Sequence, residues 1–145
     1  MAVDYPDLLN SEGLQWSLEK EDMIRQAHLL EGCSIMLNSG STMSIDALCH
    51  NKPVIITAFD GVKMKPYWLS ARRLIDFPHL DTLNMLGGYS TVDSFEQLKN
   101  TIEELLRNGM KDFDIRRQAL QSECVPDKNS TQRVVDFLTR EINNN

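Results

Sequence analysis

The segment Val54-Ile-Ile-Thr-Ala-Phe59 constrains the fold more than any other stretch of this chain. It is continuous, apolar and rich in β-branched residues, with no polar alternation. A strand with one wet face alternates; one that does not is covered on both faces, as in the middle of a parallel sheet. Parallel neighbours need crossover connections, usually helical. The preceding sequence supplies one. Ile35 to Leu37 is a second short apolar run, and Asn38 to Thr42 is a polar turn around Gly40. Met43, Ala47 and Leu48 then mark a helical stretch. Asn51-Lys52-Pro53 ends it, because proline disfavours helical geometry in the residue before it. Strand, helix and strand in that order predict a right-handed crossover and an α/β fold.

The other elements read as helices around this sheet. Met1 to Gln15 has no periodicity, and Trp16 is either a buried anchor or the end of a short strand. Ser17 is placed to cap a helix with Glu19, Glu21 and Asp22 in its first turn and Met23, Ile24, Ala27 and Leu30 as its apolar stripe. Gly32 ends it, and His28 is read as a packed or rim histidine. Tyr67, Trp68, Ala71 and Arg72 fit a short helix after Pro66. Tyr89 to Val92 is a third strand. Asp93, with Glu96 three residues on, opens a helix with Phe95, Leu98, Ile102, Leu105 and Leu106 inward and Gly109 as its stop. A helix over about 112–123 follows. Asn129 or Ser130 caps the last one, whose apolar positions are Val134, Val135, Leu138 and Ile142.

The length of 145 residues suits one domain with a real core. A net charge of −6 argues against a general nucleic-acid surface, which needs clustered Lys and Arg. No run approaches the roughly 18 apolar residues of a membrane span, and no signal segment is evident. Cys33, Cys49 and Cys124 are odd in number and lack metal-ligand spacing, which points to a reducing, cytoplasmic setting without a metal. Cys33 and Cys49 are expected as small buried hydrophobes.

The chemistry concentrates at the polar turn. The start of a helix carries unpaired N–H groups and partial positive charge. Gly40 permits close backbone approach, and Ser39, Ser41 and Thr42 bring hydroxyls. The turn is therefore either a phosphate cradle or a helix cap. It lacks the Gly-Lys-Ser/Thr and Gly-x-Gly-x-x-Gly signatures. Asp46 lies within the next turns, either bracing the polar turn, meeting a ligand or answering the helix dipole. In open parallel sheets, ligands gather beyond the carboxyl ends of strands. Both Asn38 to Thr42 and Asp60-Gly61 fall there, which predicts one composite site. Lys63 to Lys65 adds positive charge nearby, and Arg72-Arg73 serves either a phosphate or ordinary surface pairs. Gly87-Gly88 suits close approach to a nucleotide or a plain turn.

Asn38-Ser-Gly-Ser-Thr-Met-Ser-Ile-Asp-Ala-Leu48 followed by Lys52-Pro-Val-Ile-Ile-Thr-Ala-Phe-Asp-Gly61 resembles the C-terminal, donor-binding half of GT-B glycosyltransferases. Within that group it is most similar to CDP-glycerol glycerophosphotransferase-like and bacterial surface-polysaccharide transferases. Weaker similarity runs through Asp76-Phe-Pro-His79, Gly87-Gly88 and the Asp-x-x-Ser-x-x-Arg spacing of Asp127, Ser130 and Arg133. The resemblance implies a partial Rossmann-like sheet flanked by helices. It implies a donor pyrophosphate held at Ser41 and Thr42, an acid at Asp46, His79 near the donor cleft, and Asp127 and Ser130 near the donor. The implied ligand is a CDP- or UDP-linked glycerol phosphate or sugar, a substrate rather than a cofactor. The match covers the later part of a donor domain, so an acceptor-binding domain or partner chain is expected to supply the rest. An exposed sheet edge would favour self-association. Two other readings stand beside it. A UDP-sugar 2-epimerase-like enzyme carries more Gly and Glu at this turn than are present here. A non-catalytic interaction module keeps only the architecture.

Overall fold

A computed structural model describes residues 20–108, 113–125, 127 and 129–143. Three parallel strands form the sheet: β1 (Met36–Asn38), β2 (Val54–Thr57) and β3 (Ser90–Val92), in the order β1-β2-β3. The central strand is the one whose sequence lacks alternation. Val54, Ile55 and Ile56 are buried, because β2 has a neighbour on each edge and helices over its faces. Its register sets Leu37 against Ile55 and Ile56 against Thr91. Every strand is slightly offset from its apolar run: β1 starts at Met36 and takes in Asn38, β2 stops at Thr57, and β3 starts at Ser90. Hydrogen-bond register, not hydropathy, fixes those ends. Ala58 stays tied to the sheet, its N–H donating to the Val92 carbonyl at 2.7 Å.

The helices are α1 (Lys20–Gly32), α2 (Met43–Cys49), α3 (Asp81–Met85), α4 (Phe95–Asn108), α5 (Phe113–Glu123) and α6 (Ser130–Asn143). The core joins Leu30 of α1, Ala47 and Leu48 of α2, Val54 and Ile56 of β2, Leu83 of α3 and Leu120 of α5. The β1–α2–β2 crossover is thus a packed unit. The stop of α2 differs in mechanism from the sequence expectation. Asn51 takes a positive φ of 58°, its N–H donates to the Leu48 carbonyl and that of Lys52 to Ala47. This is a two-bond left-handed cap, and Pro53 only follows it. Lys52 Nζ donates to the Glu31 carbonyl at 2.6 Å, joining the ends of α1 and α2.

Between β2 and α3 the chain makes three short 3-10 turns, Tyr67–Leu69, Ala71–Asp76 and Pro78–Leu80, where one short helix and a loop were expected. The cap of α4 also shifts by one residue. Ser94 Oγ accepts the Gln97 N–H, and Gln97 Oε1 accepts the Asp93 N–H, so Gln97 rather than Glu96 completes the box. Not all expected inward faces are buried. Leu98, Ile102 and Leu105 are half-buried, whereas Phe95, Leu106 and the α6 residues Val134, Val135, Leu138 and Ile142 are exposed. Periodicity identifies an apolar face; it does not say that this chain covers it. The expected cysteine burial also changes: Cys33 is half-buried, and Cys49 is exposed as a residue. Partial burial of its thiol, followed by the neighbouring Cys124 and Asp46, still pushes Cys49 up to about 11. Residues 1–19, which include Trp16 and Ser17, and Gly109, Asp112 and Pro126 lie outside the described residues.

Candidate functional site

The site is built from the two segments that leave the carboxyl ends of β1 and β2. After β1, the Asn38 side chain organises the turn. Its Oδ1 accepts the Gly40 N–H at 2.8 Å and the Ser41 N–H at 3.3 Å, while its Nδ2 donates to the buried Ser44 Oγ at 2.9 Å. Ser41 Oγ accepts the Met43 N–H at 3.2 Å. Ser41 is therefore the residue that caps the start of α2, whereas Thr42 makes no side-chain cap. These backbone donors, expected to face a phosphate, are held by the turn itself. The hydroxyl-bearing residues Ser41 and Thr42 are exposed. Thr57 Oγ1 donates to the Asn38 carbonyl at 3.2 Å, which leaves Ser39 Oγ as donor in its 3.2 Å contact with Thr57.

After β2, Asp60 clamps a long excursion. Its Oδ2 accepts the Lys65 N–H at 2.9 Å and its Oδ1 the Ala71 N–H at 2.8 Å. These bonds, the Lys65 one first, with help from Ser70 and Arg72, hold the carboxyl below the usual aspartate range. Arg72 reinforces the clamp, donating from Nε to Ser70 Oγ at 2.9 Å and from Nη2 to the Lys65 carbonyl at 3.1 Å. The Tyr67 hydroxyl donates to Asp76, and that bond raises the phenol above its ordinary pKa. Asp60 thus shapes the wall of the site, with its oxygens committed to backbone.

Beyond the ends of β1 and β2 these segments border an open crevice of about 510 Å³. Ser39 lines it from the turn side, and Lys65, Trp68, Arg73 and Leu74 from the excursion. A second cleft of about 290 Å³ lies beyond β2 and β3, where Gly61, Arg72, Asp93 and Ser94 meet. Phe59 and Phe95, edge to face with centroids 4.8 Å apart, both contribute to that second cleft, and Phe59 borders both.

Other expected site residues lie elsewhere. Asp46 lines a groove between α1 and α2 with Met23, Gln26 and His50. Gly87 and Gly88 sit at the opposite, amino end of β3. There their N–H groups donate to the Asn84 and Leu83 carbonyls, capping α3. A Cβ on Gly88 would stand 3.0 Å from Leu83, so close packing explains that glycine. His79 falls in the Pro78–Leu80 turn, and its side chain lies outside what is described. Asp127 and Ser130 bind each other's neighbourhood at the start of α6: Arg133 donates to Asp127 Oδ2 and, at 3.1 Å, to Ser130 Oγ. Neither residue lines the crevice. Lys65 and Arg73 were offered by the sequence as charge near the site; what it missed was Trp68, read only as part of a helix, for which an aromatic side chain among cations was the available signal.

The Arg133 hydrogen bond, followed by the Asn129 N–H, holds the Asp127 carboxyl down to about 2. A depressed folded pKa gives stabilisation that is complete above the ordinary unfolded value of about 3.9. It is lost as pH falls through about 2. Acid titration of helical circular dichroism is expected to show a loss between these values that Asp127→Asn lacks. Superimposable titrations would refute the assignment.

Among the described residues, no group of three or more His, Cys, Asp or Glu side chains is placed to hold a metal ion, and no helix is long and apolar enough to cross a membrane. No family model, curated protein or solved structure matches this chain.

Proposed function

We propose that the chain binds the nucleotide-diphosphate end of an activated donor, a CDP- or UDP-linked glycerol phosphate or sugar, as the donor-binding part of a glycosyl- or glycerophosphotransferase. The observation that carries this reading is the crevice beyond β1 and β2, with Ser39 on one side and Lys65, Arg73 and Trp68 on the other. Its volume, about 510 Å³, falls within the size range of ligand pockets. It also occupies the position where open parallel sheets take ligands. Lys65 and Arg73 offer the diphosphate charge-assisted donors, and the Trp68 indole offers a base or sugar a flat apolar face. Ser41 and Thr42, exposed in the adjoining turn, are the further hydroxyl donors this reading assigns to the diphosphate. Such a site aids transfer by stabilising charge on the departing nucleotide phosphate with donors already in place. In this reading the acceptor and the catalytic base come from an acceptor-binding domain or partner chain.

A thermal-shift screen of CDP, UDP, GDP and ADP tests it. A ligand at a hundred times its Kd stabilises the folded state by about 2.7 kcal/mol, which moves the midpoint by roughly 5–10 °C for a domain of this size. Thr42→Ala is expected to reduce that shift. If none of the four diphosphates moves the midpoint, the proposal is wrong.

A further inference from the structure

The excursion after Asp60 has a second property beside the Lys65, Trp68 and Arg73 side chains that it brings to the crevice. Val62 is 96% exposed, Met64 82%, Trp68 68% and Leu69 65%. Singly exposed apolar residues are ordinary, but four on one short stretch are not: Val62 and Met64 line the second cleft, and Trp68 and Leu69 the crevice. The same stretch carries Lys63, Lys65, Arg72 and Arg73, with no acidic residue between Asp60 and Asp76, in a chain of net charge −6. The apolar side chains cannot retract easily. Asp60 binds the backbone at Lys65 and at Ala71, Arg72 grips Ser70, and Tyr67 is tied to Asp76. The excursion is therefore a braced projection.

We propose that this projection docks on an anionic lipid surface, with Val62, Met64, Trp68 and Leu69 entering the interface and Lys63, Lys65 and Arg73 meeting the headgroups. Trp and Tyr favour the membrane–water boundary, where an apolar ring and a polar edge are both satisfied. Lys and Arg stems lie along apolar surface while their charges reach outward. Each cation near an anionic bilayer contributes about 1 kcal/mol, roughly fivefold in affinity. The composition favours lipid over a protein partner, because lysine is depleted at protein–protein interfaces whereas here Lys63 stands between the exposed Val62 and Met64. Because Lys65, Trp68 and Arg73 also line the crevice, the test turns on Val62, Lys63 and Met64, which do not.

The test is co-sedimentation of the full chain with phosphatidylcholine vesicles, with or without about 30% phosphatidylglycerol, at about 0.1 M salt. The expected result is binding to the anionic vesicles only. It should weaken roughly thirtyfold in Lys63→Glu, which changes the local charge by two, and at least tenfold in a Val62→Ser, Met64→Ser double variant. These three side chains are exposed, so unaltered thermal melts should accompany the losses. Failure to sediment with anionic vesicles, or binding undiminished in both variants, overturns the proposal. So does sedimentation-velocity detection of a dimer that the double variant abolishes, which would assign the patch to a second copy of this chain.

Discussion

Arg73→Ala and Lys65→Ala are each expected to weaken binding of CDP or UDP by about tenfold to a hundredfold. A hydrogen bond to a charged group contributes about 1.5–3 kcal/mol, and each substitution removes one from the diphosphate. Lys65 and Arg73 belong to one crevice but reach it from opposite ends of the Asp60-clamped excursion. Losses that add in the double variant would mean two separate contacts; losses that do not add would mean one shared phosphate oxygen. Raising salt should weaken the wild type more than either variant, because part of its affinity is Coulombic. Isothermal titration measures all of this. Tight diphosphate binding that survives in the double variant would place the ligand elsewhere on the chain. Absence of binding in the wild type would instead remove the donor-site reading itself.

Gly40→Ala should destabilise the fold by roughly 2–4 kcal/mol. Two costs combine. The backbone at Gly40 has φ +94°, a region that costs a residue with a Cβ about 1–3 kcal/mol. An added Cβ would also stand 2.8 Å from the Leu74 carbonyl oxygen and 3.2 Å from the Leu74 Cβ. Overpacking of that kind costs about 1–3 kcal/mol, and a backbone carbonyl cannot rotate away as a side chain can. Gly32→Ala is the control. Its added Cβ meets nothing within 4 Å, and it ends α1, so the change should be near neutral. Urea denaturation of both variants decides the matter: equal midpoints would mean that the turn is not packed against Leu74. Since Leu74 also lines the crevice, the destabilised variant should lose nucleotide response as well. That result would show that the β1 turn and the excursion after β2 form one site.

The α/β architecture was legible because it depends on local patterns. A short, largely apolar run at 54–59, β-branched over its first four residues, reads as a covered strand, and helix stripes repeat at their own period. The sheet end was legible, since both polar turns follow strands and parallel strands present those turns at one end. Of the residues expected in one composite site, however, only Ser39 and Asp60 line the crevice, and Gly61 lines the second cleft. The glycines at 87 and 88 were ambiguous for a definite reason. A positive φ announces a turn, but which end of the sheet that turn serves depends on Leu83, Asn84 and α5, elements apart in sequence or pattern.

Sequence by itself determined the three strands and most of the helices, though not α3 or the 3-10 turns before it, and that a polar, glycine-bearing turn would stand at the end of the first strand. Only the tertiary structure decided what that turn's N–H groups do. Asn38 folds back onto Gly40 and Ser41 while Ser44 anchors it from α2. The structure also decided that Asp60 spends its oxygens on the backbone of Lys65 and Ala71, and so holds Lys65 and Arg73 at the crevice. Burial period and backbone torsion are written residue by residue along the chain. The partner of a given polar atom is not, because it is chosen among groups that only folding brings within 3 Å.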